Sequence, residues 1–130
     1  HHPTEVKATL QAAKEKWPKK KIWLVFQPHQ YQRTYLLFDE FKKAFDQADE
    51  IILPEIVEAK GREEKEFSKK ISSQDLVKEL KKKNKSAYFI KDFQEIISFL
   101  KKKVKSNEII IIMGAGNVYQ ITLELLKSQK

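Results

Sequence analysis

The sequence contains no cysteine, only three glycines and four prolines, and only two arginines among its 26 basic residues. Without cysteine the chain cannot form a disulfide, bind a metal through thiolates, hold an iron–sulfur cluster or use a cysteine nucleophile. Its apolar runs are too short to span a membrane, and it does not open with the basic and then apolar pattern of a signal peptide. The first residue is His rather than Met, so we expect a trimmed chain or a piece of a longer protein.

The composition that remains is that of a globular domain. The 130 residues are 41% hydrophobic and 34% charged. This length and balance allow one core and hardly two. We therefore predict a single domain over residues 1–130.

The net charge of +8 raises the question of a nucleic-acid partner. Lysine runs at 81–83 and 101–105 are predicted at helix C-termini, where the helix dipole favours cations, and the run at 19–21 falls in a turn before a strand. Neither an RNA-recognition signature nor a basic run interleaved with aromatics occurs. We therefore expect scattered, solvated lysines, and neither a nucleic acid nor a membrane as partner.

Hydrophobic periodicity predicts a regular alternation of helices and strands. A first helix ends before Pro18, and short apolar runs predict strands at 22–26, 51–53, 86–90 and 108–113. Short, nearly all-apolar strands separated by single helices indicate parallel pairing with right-handed crossovers. We predict an α/β fold, a three-layer α/β/α domain of Rossmann-like type with a mainly parallel sheet.

Several local signals refine this pattern. A polar loop is predicted at 27–34 and a second helix at 37–48. The charged stretch 58–70 is expected to be the least ordered, and Ser72 or Ser73 is expected to cap the helix that follows. Asp92 and Glu95 have the spacing of a capping box on the next helix.

The segment from Gln27 to Thr34 is the first candidate site, because ligands gather at the carboxyl ends of the strands in such sheets. It connects a buried strand directly to a helix, whose N-terminal amides attract anions. Arg33 can hold a carboxylate through two hydrogen bonds, and His29 can be charged or neutral near pH 7. The residue types alone leave two interpretations open, an anion site and an ordinary surface loop.

The segment Met113-Gly114-Ala115-Gly116-Asn117 begins like the dinucleotide fingerprint G-x-G-x-x-G. The third glycine position falls on Tyr119, and no acidic residue follows at the required distance. A tight turn with close backbone approach is therefore favoured over a dinucleotide site.

The start of the chain, His1-His2-Pro3-Thr4-Glu5, is not expected to bind a metal, because adjacent side chains point apart. Pro3 and Glu5 instead fit the first turn of a helix. The sequence has no phosphate loop, no G-x-S-x-G elbow and no H-E-x-x-H pair. We accordingly expect no catalytic residue and no metal ligand in this chain by itself.

Taken together, three segments resemble the C-terminal domain of the Mur ligases. They are the His-His-Pro-Thr-Glu start, the Phe26-Gln27-Pro28-His29 segment with Tyr31, Arg33 and Thr34 after it, and Met113-Gly114-Ala115-Gly116. The likeness covers essentially the whole chain and is greatest to the branch that joins L-alanine to UDP-N-acetylmuramate. The related murein peptide ligases typically have an acidic-Pro-Arg sequence where this chain has Gln27-Pro28-His29.

The resemblance implies a cytoplasmic, three-domain enzyme of peptidoglycan synthesis. Its other domains would hold the UDP-sugar, ATP and magnesium, and this domain would close over them and deliver the amino acid. ATP would phosphorylate the substrate carboxylate, and the amine of L-alanine would attack the acyl phosphate. By resemblance, His29 and Arg33 help to hold the alanine carboxylate, while His2 and Tyr31 face the nucleotide or the alanine. The isolated chain is expected to be inactive and to bind neither ATP nor magnesium.

The chain departs from the family pattern at three places. Gln30 and Asn117 stand where many members have Arg and Asp, and the strand that precedes His-His-Pro in the family is absent. Two alternatives stay open: the corresponding domain of a murein peptide ligase, and a stand-alone Rossmann-like module that binds a nucleotide or nucleic acid.

Overall fold

A computed structural model describes residues 2–58, 62–114 and 116–127, with the backbone alone for 62–64. His1 and Ala115 of the motifs above therefore lie outside the described residues. The elements in chain order are α1 (Pro3–Lys16), β1 (Ile22–Gln27), α2 (Tyr31–Leu36), α3 (Phe38–Ala44), β2 (Glu50–Leu53), α4 (Arg62–Ser68), α5 (Ser73–Lys82), β3 (Ser86–Phe89), α6 (Phe93–Lys103), β4 (Ile109–Gly114), a 3-10 turn (Gly116–Val118) and α7 (Tyr119–Lys127).

The four strands of the described chain form a parallel sheet in the order β3–β2–β1–β4. Helices α1, α3 and α5 cover one face, where Phe26, Phe41 and Phe45 pack with ring centroids 5.4–6.3 Å apart. Helices α6 and α7 cover the other face, where Trp23 meets Phe99 edge-on at 6.2 Å. This arrangement confirms the predicted three-layer α/β/α fold.

Helix starts agree only partly with the sequence. Ser72 caps α5 in a complete capping box, in which Asp75 N donates to Ser72 Oγ at 3.2 Å and Ser72 N donates to Asp75 Oδ2 at 2.9 Å. Asp92 caps α6 by accepting from Gln94 N at 3.1 Å. The described contacts of α6 give Glu95 no return bond, so the capping box predicted there is wrong in its second half.

Two segments are more helical than predicted. The predicted loop 27–34 ends early, because α2 already begins at Tyr31 and is followed by α3 rather than by one helix over 37–48. The stretch 58–70, expected to be the least ordered, contains α4. Phe67 of α4 packs on Tyr35 of α2 with ring centroids 5.5 Å apart. This aromatic contact joins the charged segment to the rest of the domain.

β4 is less buried than β1, although its sequence is the more uniformly aliphatic. All six of its residues are only half-buried, whereas all six of β1 are buried. The reason is position: β4 stands at one end of the sheet and bonds to β1, while β1 lies between β2 and β4. Apolar composition therefore predicted a strand but not its place in the sheet.

The prediction of scattered lysines is wrong in its geometry. The amino ends of parallel strands lie at the same edge of a sheet. Each strand here is preceded by a helix, so the helix C-terminus and the connection after it lie at that edge. The lysine runs at 19–21, 81–85 and 101–105 lead into β1, β3 and β4, so the fold brings all three to that edge. In the described ranges, no helix is both long and apolar enough to cross a membrane.

Candidate functional site

The carboxyl ends of β1 and β4 lie next to each other in the sheet. After β1 the chain continues to β2 on one side of β1, while β4 lies on the other side of β1. The direction of the connections therefore reverses between β1 and β4. Such a switch point is where open α/β sheets bind their ligands. Gln27 at the end of β1 pairs in register with Gly114 at the end of β4.

Three hydrogen bonds fasten the loop after β1 to the segment after β2. Val57 N donates to Pro28 O at 2.8 Å, and Gln30 N donates to Val57 O at 2.7 Å. Gln27 Nε2 donates to Glu55 O at 3.1 Å. We call these three bonds the loop brace. The brace holds the backbone that carries His29 and leads into α2.

Gln30 sits at a strained backbone position inside this loop. Its φ of 70° and ψ of 126° lie outside the regions that L-residues prefer. Such a conformation costs about 1–3 kcal/mol and persists only where the surroundings enforce it. Besides the brace, the fully buried Thr34 enforces it, because its N and Oγ1 donate to Gln30 O at 3.1 and 2.8 Å. Gln30 therefore stands on a tightly held backbone.

His29 and Arg33 both belong to this braced segment. His29 is half-buried and pairs as a bridge with Val57, and Tyr31 opens α2 as a further half-buried side chain. Arg33 is also half-buried, and among the described residues no carboxylate lies within 4.0 Å of its guanidinium. Because α2 has only six residues, its dipole adds little, and attraction for an anion rests on the side chains.

His2 lies at the same edge of the sheet but has a structural task. A 14-residue helix such as α1 is about 21 Å long and a six-residue strand about 20 Å, so the start of α1 reaches the level of the end of β1. His2 Nδ1 accepts from Thr4 N at 3.2 Å and caps the helix. The described contacts place no bond between His2 and His29.

Gly114 allows the close approach of the two strands. Its φ is +142°, and a Cβ there would lie 2.9 Å from Gln27 O and 3.2 Å from Val118 Cγ1. Gly116 also has a positive φ, +85°, but a Cβ there would meet nothing within 4 Å. This geometry is that of a tight strand-to-helix turn.

Gln27 is the functional candidate that the sequence analysis did not single out. The residue is buried, with 8% of its surface exposed. The donation from Nε2 to Glu55 O fixes the orientation of the amide, and Oε1 then has no hydrogen-bond partner among the described residues. A polar residue at the end of an otherwise apolar, buried strand was the available signal.

The described residues contain no group of three or more His, Cys, Asp or Glu placed to hold a metal ion. What the described residues offer is a guanidinium with no carboxylate partner among them and an imidazole on a braced loop, both beside the switch point of the sheet. These groups suit a small carboxylate ligand.

Residues 1–116 match the model of the family described as Mur ligase, glutamate ligase domain. The chain belongs to the Mur ligase family. Curated relatives include the UDP-N-acetylmuramate–L-alanine ligases of Caldanaerobacter subterraneus subsp. tengcongensis, 39% identical over the whole chain, and of Lachnoclostridium phytofermentans, 47% identical over 98% of it. The chain spans about a quarter of the length of these relatives, 27% and 26%.

A solved Mur ligase confirms the fold. The murein peptide ligase of Psychrobacter arcticus 273-4 superposes with a TM-score of 0.76 over 98% of this chain and 25% of that one. Sequence identity is 22%, so this likeness speaks for the fold alone. The predicted membership of the Mur ligase C-terminal domain is confirmed by the family match.

Proposed function

We propose that this chain is the amino-acid-binding domain of an ATP-dependent, cytoplasmic ligase that joins L-alanine to UDP-N-acetylmuramate in peptidoglycan synthesis. The identity of 39–47% to relatives of that name supports the choice of reaction. Because the chain covers about a quarter of them, the remaining three quarters of such an enzyme would hold the UDP-sugar, ATP and magnesium.

In this proposal Arg33 and His29 hold the carboxylate of L-alanine. The observation that carries the assignment is the lack of a neutralising carboxylate near Arg33 within the described ranges, at the switch point of the sheet. A planar guanidinium binds a carboxylate through two parallel hydrogen bonds and so fixes its orientation. With the carboxylate fixed, the amine of alanine points in one direction.

Orientation is the chemical contribution of this domain. ATP converts the carboxylate of the UDP-sugar to an acyl phosphate and releases ADP. The alanine amine then attacks the acyl carbon, an amide bond forms and phosphate leaves. Holding the amine within reach of the acyl carbon replaces a bimolecular encounter by a positioned one. His2 and Tyr31 are proposed to face the nucleotide or the alanine from the same edge.

The chain alone is proposed to catalyse nothing and to bind neither ATP nor magnesium tightly. Its sequence contains no phosphate loop. Both ligands are assigned to the other domains of the parent enzyme.

The test is a chimera. The 127 matching residues of the Lachnoclostridium phytofermentans relative are replaced by this chain, and formation of ADP and of the amide product is measured with UDP-N-acetylmuramate and L-alanine. We expect alanine-dependent ligation, and this chain by itself, as a control, should neither bind nor hydrolyse ATP. A folded chimera that uses an L-alanyl-γ-D-glutamyl tripeptide but not free alanine would instead assign the chain to a murein peptide ligase.

A further inference from the structure

The amino edge of the sheet, at the opposite end of the strands from the candidate site, is strongly basic. Four stretches lead into the strands: 14–21, 42–50, 79–86 and 101–109. Together they contain fifteen lysines and six carboxylates, a net charge of +9. The whole chain carries +8, so the rest of it is nearly neutral. We call this end of the domain the lysine pole.

Few of these lysines form ion pairs inside the domain, although Lys85 Nζ donates to Asp46 O, and Lys16 and Lys21 lie over the rings of Trp17 and Trp23. Four of the fifteen, Lys14, Lys42, Lys82 and Lys83, lie within 4.0 Å of a carboxylate. For the other eleven, the structure in the ranges it describes shows no ion pair. Twelve of the fifteen are exposed. Helix dipoles explain single cations at helix ends, but they do not require the three successive lysines found at the ends of α5 and α6.

An apolar groove adjoins the lysine pole. It has a volume of about 550 Å³ and lies between α6, β4 and α7. Val104 and Ile112 are among the apolar residues lining it, and Lys101 and Lys105 stand beside it. At its rim Leu126 is 56% exposed, although α7 buries Ile121 on its other side.

We propose that the lysine pole, with the rim of this groove, binds the surface of an anionic lipid bilayer. Basic side chains next to exposed apolar ones are the pattern of interfacial membrane binding, and each lysine near an anionic surface adds to the attraction. The composition favours lipid over nucleic acid as the partner. Neither arginine lies in the four stretches, and arginine is the residue preferred for phosphate-backbone and base recognition.

This proposal does not depend on the proposed ligase function and reverses the expectation, drawn from the sequence, that no membrane is a partner. That expectation rested on scattered lysines, which the fold gathers at one end. Strands of four to six residues place the candidate site about 13–20 Å above a bilayer at the pole. The site would therefore stay open to the aqueous side.

The test is co-sedimentation of the 130-residue chain with sucrose-loaded vesicles in 100 mM salt. Vesicles of phosphatidylcholine alone are compared with vesicles containing 30% phosphatidylglycerol, and a 30-base-pair DNA duplex is titrated in parallel. We expect partitioning to the anionic vesicles to exceed that to neutral ones by at least about 10-fold. The triple variant Lys101→Glu, Lys102→Glu and Lys103→Glu should lose about 10-fold or more of that binding.

A matched control makes the same change of charge at the other end of the domain. Lys65→Glu, Lys69→Glu and Lys91→Glu alter exposed lysines on the carboxyl side, and binding should change by less than about 2-fold if position matters. Leu126→Ser should weaken binding to vesicles but not to DNA. Thermal unfolding checks that each variant folds, and a triple change to Gln at 101–103 replaces the Glu variant if that does not.

Three results would overturn the proposal. Equal losses in the two triple variants would show that only net charge acts. Tighter binding to the duplex than to the anionic vesicles would assign the pole to nucleic acid. Equal, weak sedimentation with neutral and anionic vesicles would leave the lysines as a solvated surface.

Discussion

The two ends of the sheet are built in opposite ways. At the carboxyl end a short polar loop is held by the loop brace, which enforces the strained backbone of Gln30, and Arg33 follows directly after it. At the amino end twelve of fifteen lysines are exposed, and four of the fifteen have a carboxylate partner among the described residues. The first arrangement suits recognition of one small ligand in one orientation, whereas the second suits a broad and adaptable surface. The comparison teaches that one small domain can fix a single charge in one orientation at one end and collect many exposed charges at the other.

The strongest test of the carboxyl end is Arg33→Ala in the chimera. Truncation leaves the alanine carboxylate without its partner, which costs on the order of 2–4 kcal/mol for a charged pair in a closed site. We expect kcat/KM for alanine to fall roughly 30- to 1,000-fold, while KM for ATP and for the UDP-sugar moves much less. Steady-state kinetics with each substrate varied in turn measures this.

Two variants serve as controls for that change. Arg33→Lys should restore only part of the activity, because an ammonium keeps the charge but not the fork. Lys91→Ala removes an exposed cation at the same edge, one that lies 3.6 Å from Glu55, and should leave alanine kinetics unchanged. Equal damage to all three substrates would give Arg33 a structural role instead.

Gly114→Ala should produce the largest loss of stability. The new Cβ would meet Gln27 O at 2.9 Å and would stand on a backbone with φ of +142°. We expect the free energy of unfolding to fall by about 2–4 kcal/mol, in the range of overpacking combined with an unfavourable φ. Denaturant titration of the chain checks this.

Gly116→Ala is the internal reference for that experiment. Its φ of +85° penalises a side chain, but the space around it is open. The loss should be about 1 kcal/mol, the cost of the backbone conformation without a clash. A Gly116 variant as damaging as the Gly114 variant would mean that close approach of β1 and β4 is not what Gly114 provides.

The loop brace is tested at Gln27. Gln27→Leu removes the bond to Glu55 O and also the unpartnered Oε1, so we expect a net loss of about 1 kcal/mol. Gln27→Glu should be worse, because a carboxylate would face the Glu55 carbonyl without a donor. In the chimera both variants should raise KM for alanine, because the loop that carries His29 would be held less firmly. An unchanged KM would show that the loop brace is not needed for alanine binding.

The amino end has a pH-sensitive contact of its own. Glu108 Oε1 accepts from Lys105 N and from Trp23 Nε1, both at 3.0 Å, and these hydrogen bonds lower the pKa of Glu108. A carboxylate whose pKa is lower in the folded state stabilises above its ordinary pKa, and that contribution is lost as the pH falls below it. We expect Glu108→Gln to flatten the dependence of stability on pH below the ordinary carboxyl pKa of about 4.5, measured by Trp fluorescence during urea unfolding.

The smallest effect is expected from Lys81→Glu, Lys82→Glu and Lys83→Glu. Surface substitutions usually change stability by no more than about 0.5 kcal/mol each, although Lys82 and Lys83 give up ion pairs with Glu79 and Asp46. Ligase activity of the chimera in solution should stay nearly unchanged. A large loss of activity with the fold intact would show that the lysines at the amino end also serve the reaction, contrary to the comparison.

The sequence predicted the strands and the layers because each strand is a compact apolar run and each helix a periodic one. It did not predict α2, because Tyr31 to Leu36 has no apolar period. The start of this helix is set instead by Gln30, whose N donates to Val57 O and whose O accepts from Thr34. The edge position of β4 and the assembly of the lysine pole were also missed. Both follow from strand order, which local composition does not contain.

The order of the strands has a consequence for how the chain is made. β1 needs β4 to complete its hydrogen bonds, and the paired residues Ile22 and Ile109 lie far apart in the sequence. At a synthesis rate of about 5–20 residues per second, the ribosome takes roughly 4–17 s to get from one to the other. During that interval β1 has unpaired backbone hydrogen-bonding groups on the side that β4 later occupies. We therefore expect ribosome-bound chains that stop before Ile109 to be captured by chaperones, and chains extended beyond the last helix to be released from them.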